Sequence, residues 1–281
     1  MDILRGQWLI QESPALRSAA RDFLERKAVA LAKDEEEQAK ATLCTAMMDV
    51  YDVDTQPENL PSEEQFVLIV PMHGTLTKYD NCIGCATMEV ADILEEHRDR
   101  DDICGFILDI DSPGGAVNAI MPVIEQIKKI QEAGKPIIAH VDLCASAAYW
   151  IASQCDAIFT DNILSSAGSI GAYYCFVDDR ENKATGERVI DIYAPESTDK
   201  NRSFREALEG KPELAQKELS ETVQKFIAAV KSGRPDIKAD APGVMSGAMF
   251  DAPAAVELGM ANAMMSLSDC INNVFIRANN S

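Results

Sequence analysis

The stretch Phe106-Ile-Leu-Asp-Ile-Asp-Ser-Pro-Gly-Gly115 decides the fold. Gly105–Ile110 is an apolar run of strand length, and Ala116–Ala133 has the three- and four-residue apolar spacing of a helix. Gly134 and Pro136 supply the stop signal for that helix. Between strand and helix stands Asp111-Ser-Pro-Gly-Gly115. Proline imposes an extended turn there, and paired glycines let the backbone approach a ligand with no Cβ in the way. The N–H groups that follow can point at developing negative charge, which makes Gly114 and Gly115 candidate oxyanion donors. A tight turn with no ligand fits the same residues.

The alternation continues on both sides. Phe66–Val70, Ile137–Val141 and Ala157–Thr160 read as further apolar strands, and Thr87–His97 and Ala147–Ser153 as helices. Continuously apolar strands joined by helical crossovers imply an α/β protein with a parallel sheet covered on both faces. Further on, residues 206–231 read as one charged amphipathic helix, and Asp251–Gly259 as a short capped helix ending in glycine. Toward the N-terminus, Leu16, Ala20, Phe23, Leu24, Ala28 and Leu31 form one apolar stripe, so residues 13–48 read as helical. Asp52–Gln65, with Pro57 and Pro61, reads as an acidic linker. The expected division is a helical extension over 1–60 and a main domain over 61–281.

Composition narrows the functions. The 46 acidic against 26 basic side chains give a net charge of −20, a field that repels nucleic acid and anionic lipid. No stretch approaches the roughly 18 uninterrupted apolar residues of a membrane span, and the first residues lack a signal peptide's apolar run. A cytoplasmic protein without a membrane anchor is expected. Of the eight cysteines, Cys82 and Cys85 form a single CxxC. A structural zinc site needs a second pair, and none is present, so reduced thiols and no metal are expected.

Downstream of the third strand lies Asp142-Leu-Cys-Ala-Ser146-Ala-Ala-Tyr-Trp150. Small neighbours leave room around the Ser146 hydroxyl, and the Ala147 N–H is a candidate second oxyanion donor. The same serine could simply cap the following helix. As a nucleophile it needs a base. The three histidines, His73, His97 and His140, all precede it, which rules out a triad with its histidine after the serine. A lysine can serve instead once desolvation lowers its pKa from about 10.4 toward the working pH.

Taken together, these segments resemble the signal peptide peptidase A family of serine–lysine proteases, including its short phage-encoded capsid branch. Phe106–Gly115 is similar to that family's oxyanion strand and turn. Cys144-Ala-Ser-Ala-Ala-Tyr-Trp-Ile-Ala-Ser153 is similar to its nucleophile segment, with Ser146 as the serine. Ser165-Ser-Ala-Gly-Ser-Ile-Gly171 matches its Gly-Ser-Ile-Gly element, which gives Ser169 the role of orienting the lysine. Met249–Gly259 resembles its C-terminal helix. The lysine position falls on Lys200, in Ala194-Pro-Glu-Ser-Thr-Asp-Lys200 after the strand-like Val189-Ile-Asp-Ile-Tyr193, 54 positions beyond Ser146. A solvated loop lysine is the other reading of Lys200, and Lys183, Lys211 and His140 are the further candidates for the base.

The resemblance implies a Clp/crotonase-like fold and an endopeptidase without cofactors. It also implies peptide or protein substrates, phage structural proteins among them, and a homo-oligomeric ring, with the virion or prohead as an alternative location to the cytoplasm. Two rivals use the same fold: an acyl-CoA enzyme of the crotonase type, and an inactive capsid-assembly or scaffold protein.

Overall fold

The computed structural model of the chain describes residues 8–10, 40–55, 59–61, 64–79, 84–175 and 190–280. In chain order the strands and helices are β1 (Trp8–Ile10), β2 (Thr42–Cys44), β3 (Val50–Asp52), β4 (Phe66–His73), β5 (Thr75–Thr77), β6 (Gly84–Ala86) and α1 (Thr87–His97). There follow β7 (Ile103–Ser112), β8 (Gly114–Ala116), α2 (Ile120–Glu132), β9 (Ile137–Ala145), α3 (Ala147–Ala152), β10 (Ala157–Thr160) and β11 (Ser166–Gly168). The chain closes with α4 (Arg202–Leu208), α5 (Glu213–Gly233), β12 (Met249–Asp251), α6 (Ala252–Glu257), β13 (Ala263–Met264) and α7 (Leu267–Ala278).

The expected parallel sheet is present. Strands β4, β7, β9 and β11 lie side by side in parallel, and β10 pairs in parallel with both β9 and β13. Alternate residues face opposite sides, and both sides are apolar. Phe66, Leu68, Phe106, Leu108, Ala139 and Val141 belong to one buried cluster, which takes in Val90 and Leu94 of α1 and Val123 and Ile127 of α2. Val67, Ile69, Ile107 and Ile138 form the other, beneath Cys270, Ile271 and Val274 of α7.

A second, smaller sheet has the order β1-β8-β5-β6. Gly115 is required there, because a Cβ on it would lie 1.9 Å from the Leu76 carbonyl oxygen of β5. The second glycine of the turn thus serves strand packing, where sequence alone suggested ligand approach.

Three expectations need correction. The single helix over 206–231 is two, α4 and α5, because Gly210 at φ 79° and Pro212 break it. The helix expected over 13–48 falls mostly outside the described residues, and at its end Thr42–Cys44 is a strand. Strands β2 and β3 pair with each other, and β2 pairs antiparallel with β4, burying Leu43 and Cys44. The main sheet therefore includes residues 42–52, and a division at residue 61 between a helical extension and the main domain cuts through it. The short helix α6 is as expected: the Asp251 carboxylate accepts from the Ala254 N–H at 3.0 Å, and Gly259 follows at φ 73°.

Candidate active site

The centre of the site is the step from β9 to α3. β9 is held in register by β7 on one side and β11 on the other, and it delivers Ser146 at the first position past its end. Ser146 has φ 56° and ψ −116°, a conformation that side-chain-bearing residues seldom adopt. Such an outlier costs about 1–3 kcal/mol and persists only where surrounding structure enforces it. The enforcement is visible: the Ser146 N–H donates to the Gly168 carbonyl at 2.8 Å, extending the β9–β11 ladder through the bend. The hydroxyl makes no capping bond to α3 and instead lies 3.5 Å from the Gly171 carbonyl oxygen. Ser146 occupies the cap position without doing a cap's work.

The Gly-Ser-Ile-Gly element packs against this serine. Ser169 is half-buried, at φ 57°, with its N–H on the Ala248 carbonyl at 2.8 Å. It directly follows Gly168, the residue that receives the Ser146 N–H. Gly168 itself has φ 140°, and a Cβ there would meet the Ala248 oxygen at 2.4 Å. Sequence reasoning singled out Ser169 and overlooked its glycine neighbours, whose carbonyls touch the nucleophile.

On the other side, the Gly114 N–H donates to Ser112 Oγ at 3.1 Å, and that hydroxyl donates to the Gly74 carbonyl at 2.6 Å. Gly114 has φ 96°, which glycine alone tolerates well. The candidate donor is thus positioned by a tight turn and engaged with Ser112. Ala147 is fully buried at the first position of α3.

Lys200 belongs to none of the elements that hold Ser146: it stands in the segment that follows Tyr193. It is exposed, at the end of the turn-rich segment Ala194–Lys200, and lines an open cleft with Tyr193, Ser197 and Asn201. Among the described residues, no hydrogen bond or ion pair joins it to Ser146 or Ser169. Of the other candidate bases, Lys211 pairs with Glu209 at the surface, and Lys183 lies outside the described residues.

The histidines are engaged elsewhere. His140 Nδ1 lies 2.8 Å from Asp109 and its Nε2 3.2 Å from Asp161, while His73 Nε2 lies 3.0 Å from the second Asp109 oxygen. Burial pushes the His140 imidazole down, but the two carboxylates outweigh it and raise its pKa. Burial likewise pushes the Asp109 carboxyl up, and the two histidines override this to hold it well below the usual range. His97 sits against the Ile93 carbonyl at 2.9 Å. Among the described residues, no hydrogen bond joins any of the three to Ser146.

No group of three or more metal-ligating side chains occurs among the described residues, and all seven described cysteines are free. Burial, with a smaller contribution from Glu89, pushes the Cys85 thiol up to about 12, the opposite of an activated thiolate. No described helix is long and apolar enough to cross a membrane.

A parallel α/β sheet that ends in a strained serine beside glycine turns defines the site, and comparison with known proteins places the chain in a peptidase family. The profile of Peptidase family S49 matches residues 129–279, more than half of the chain, and the chain belongs to that family. It is 25% identical over 220 residues to Protease 4 of Haemophilus influenzae, covering 76% of this chain and 34% of that one. It is 26% identical over 221 residues to the head-tail preconnector protein GP5 of Enterobacteria phage P21, covering 73% and 42%. It is 29% identical over 149 residues to a putative protease of Methanocaldococcus jannaschii, covering 50% and 46%. The chain thus spans between about a third and a half of the length of these relatives. Among solved structures, a membrane-bound stomatin-specific protease with a substrate peptide superposes over 70% of this chain and 74% of that one, at 17% identity and TM-score 0.41. A ClpP1 variant from Listeria monocytogenes superposes over 72% and 94%, at 13% identity and TM-score 0.47.

Proposed function

We propose that the chain is a serine endopeptidase in which Ser146 attacks the peptide carbonyl, Lys200 takes its proton and Ser169 orients the lysine. The observation that carries this reading is the Ser146 backbone. A costly conformation is maintained at a residue whose hydroxyl performs no structural capping, and it holds that hydroxyl at the end of a strand. Gly114 or Gly115 and Ala147 supply the N–H groups for the oxyanion, with Gly114 exchanging its bond to Ser112 for one to the substrate. Water then hydrolyses the acyl-enzyme, and no cofactor takes part.

Lys200 acts as a base only after it leaves solvent, because desolvation is what favours the neutral amine. The segment 194–200 must therefore fold over Ser146 when substrate binds. The phage relative is called a head-tail preconnector protein, and the substrates proposed here are phage structural proteins, cut in the cytoplasm or prohead by a ring of identical subunits. Ile163, Leu164, Ile190 and Ile192 are large exposed apolar residues suited to contacts in such a ring. Membership of a peptidase family speaks against the acyl-CoA alternative. The exposure of Lys200 in an open cleft favours one second reading, a non-catalytic assembly protein.

Digestion of labelled casein with Ser146→Ala and Lys200→Met variants separates the two. Ser146→Ala should abolish turnover, Lys200→Met should lower it by about 10²–10⁴, and a fluorophosphonate should label Ser146 in the parent chain. Full activity in Lys200→Met alone would move the base to another residue. An inert, unlabelled parent chain would leave the assembly reading.

A further inference from the structure

The smaller sheet places a piece of the chain's own N-terminus at the candidate site. Strand β8 begins at Gly114, the candidate oxyanion donor, and can offer a peptide one edge at most. Its other edge is closed by β5, whose Leu76 pairs with Gly115 so closely that a Cβ would not fit. On the remaining edge lies β1, antiparallel, with Trp8 opposite Ala116, Leu9 opposite Gly115 and Ile10 opposite Gly114. Helix α3, which starts one residue after Ser146, touches both β8 and β1. β1 therefore runs toward the glycine turn with its C-terminal end nearest the oxyanion donor, and Ser146 is only 1% exposed. Extended peptides bind proteins by adding a strand to such an edge, through main-chain bonds that do not depend on the sequence bound.

We propose that Trp8–Ile10 is a tethered competitor for the substrate edge of β8: an extended peptide substrate and β1 take the same place, and β1 must leave before substrate is cleaved. This rests on the peptidase reading above. The tether makes the competition intramolecular, so it lowers apparent affinity by the fraction of time the edge is free.

The test uses the full chain with Leu9→Pro and Ile10→Pro together. Successive N–H groups along a strand point in opposite directions, so one of the two prolines removes a bond to β8 whichever residue donates it. Binding is read in a Ser146→Ala background with a fluorescein-labelled peptide of residues 7–12, QWLIQE, by anisotropy. If β1 is docked nine-tenths of the time, the proline variant should bind it about tenfold more tightly. With Ser146 intact, the same prolines should lower KM for casein peptides by that factor and leave kcat unchanged. Equal affinity with and without the prolines overturns the proposal, whatever the turnover. Mass-spectrometric loss of the first ten residues from the active chain, absent in Ser146→Ala, also overturns it, since β1 would then be a substrate. Failure of Ser146 to label with fluorophosphonate instead strikes the peptidase reading, which the anisotropy measurement does not touch.

Discussion

At Ser146 the backbone and the side chain make opposite demands. The φ of 56° favours a residue without Cβ, while the proposed chemistry needs a hydroxyl. Replacement by glycine should therefore stabilise the fold relative to replacement by alanine, by about 1 kcal/mol, since alanine keeps the strain and glycine releases it. Urea melts of the two inactive variants measure this directly, and equal midpoints would mean that the elbow is unstrained. The His140–Asp109 pair makes a separate prediction. His140 has a raised folded pKa, so its contribution is complete below the ordinary histidine value of about 6.5 and is lost as pH rises through the folded value. Asp109 has a depressed one, so its contribution is present above about 3.9 and is lost as pH falls through the folded value. Stability from this pair peaks between those limits. His140→Asn should cost about 1–3 kcal/mol near pH 6 and much less near pH 9, read as the difference in Tm from the parent chain across pH. Residue chemistry was legible from sequence to the extent that local pattern carries it. Short motifs single out Ser146 and Ser169, and the structure adds their positive φ angles, which no motif states. The partners of His140 were not legible, because Asp109 and Asp161 come from different strands and meet it only through sheet register.

Elements show the same division between local and long-range information. Strands β4, β7, β9 and β10 and helix α1 follow from apolar runs and periodicity, since each is long or uniform enough for its pattern to be decisive. Short strands such as β5, β8 and β11 carry no such pattern; pairing with neighbours distant in sequence makes them. The turn at Asp111–Gly115 illustrates the cost. Its glycines mark a special backbone, but only the structure shows that Gly115 lacks room for a Cβ against Leu76 of β5 while Gly114 supplies the left-handed bend. Gly115→Ala must drive β5 from β8, with an expected loss of about 1–3 kcal/mol. The same change distorts the edge on which a substrate strand would lie. Its activity should fall well beyond what the stability loss explains, measured as kcat/KM at a temperature where the variant is fully folded by circular dichroism. An unchanged kcat/KM would detach β8 from the site.

At the scale of the whole molecule, the question is where the folded unit begins. Two prolines and a run of acidic residues after Asp52 suggested a linker, and that composition is real, but strand pairing overrides it. The β2–β3 hairpin lies before the linker-like stretch and is stitched onto β4, where Leu43 packs in the same buried cluster as Phe66 and Leu68, and Tyr51 meets Phe66 edge-on at 5.9 Å. Removing the hairpin would uncover the outer edge of β4 and leave a row of unpaired backbone groups, a template for aggregation. Burial of Leu43 alone is worth about 2 kcal/mol. A chain that starts at residue 61 should therefore be clearly less stable than one that starts at residue 40, because the two differ only by the hairpin and the stretch that joins it to β4. The comparison is made by thermal melting and light scattering on the two truncations, with aggregation expected for the shorter. Equal melting temperatures would restore the boundary at residue 61 and make β2 and β3 an appendage. Both truncations also lack β1, so each that folds should show the tighter peptide binding of the Leu9→Pro, Ile10→Pro chain.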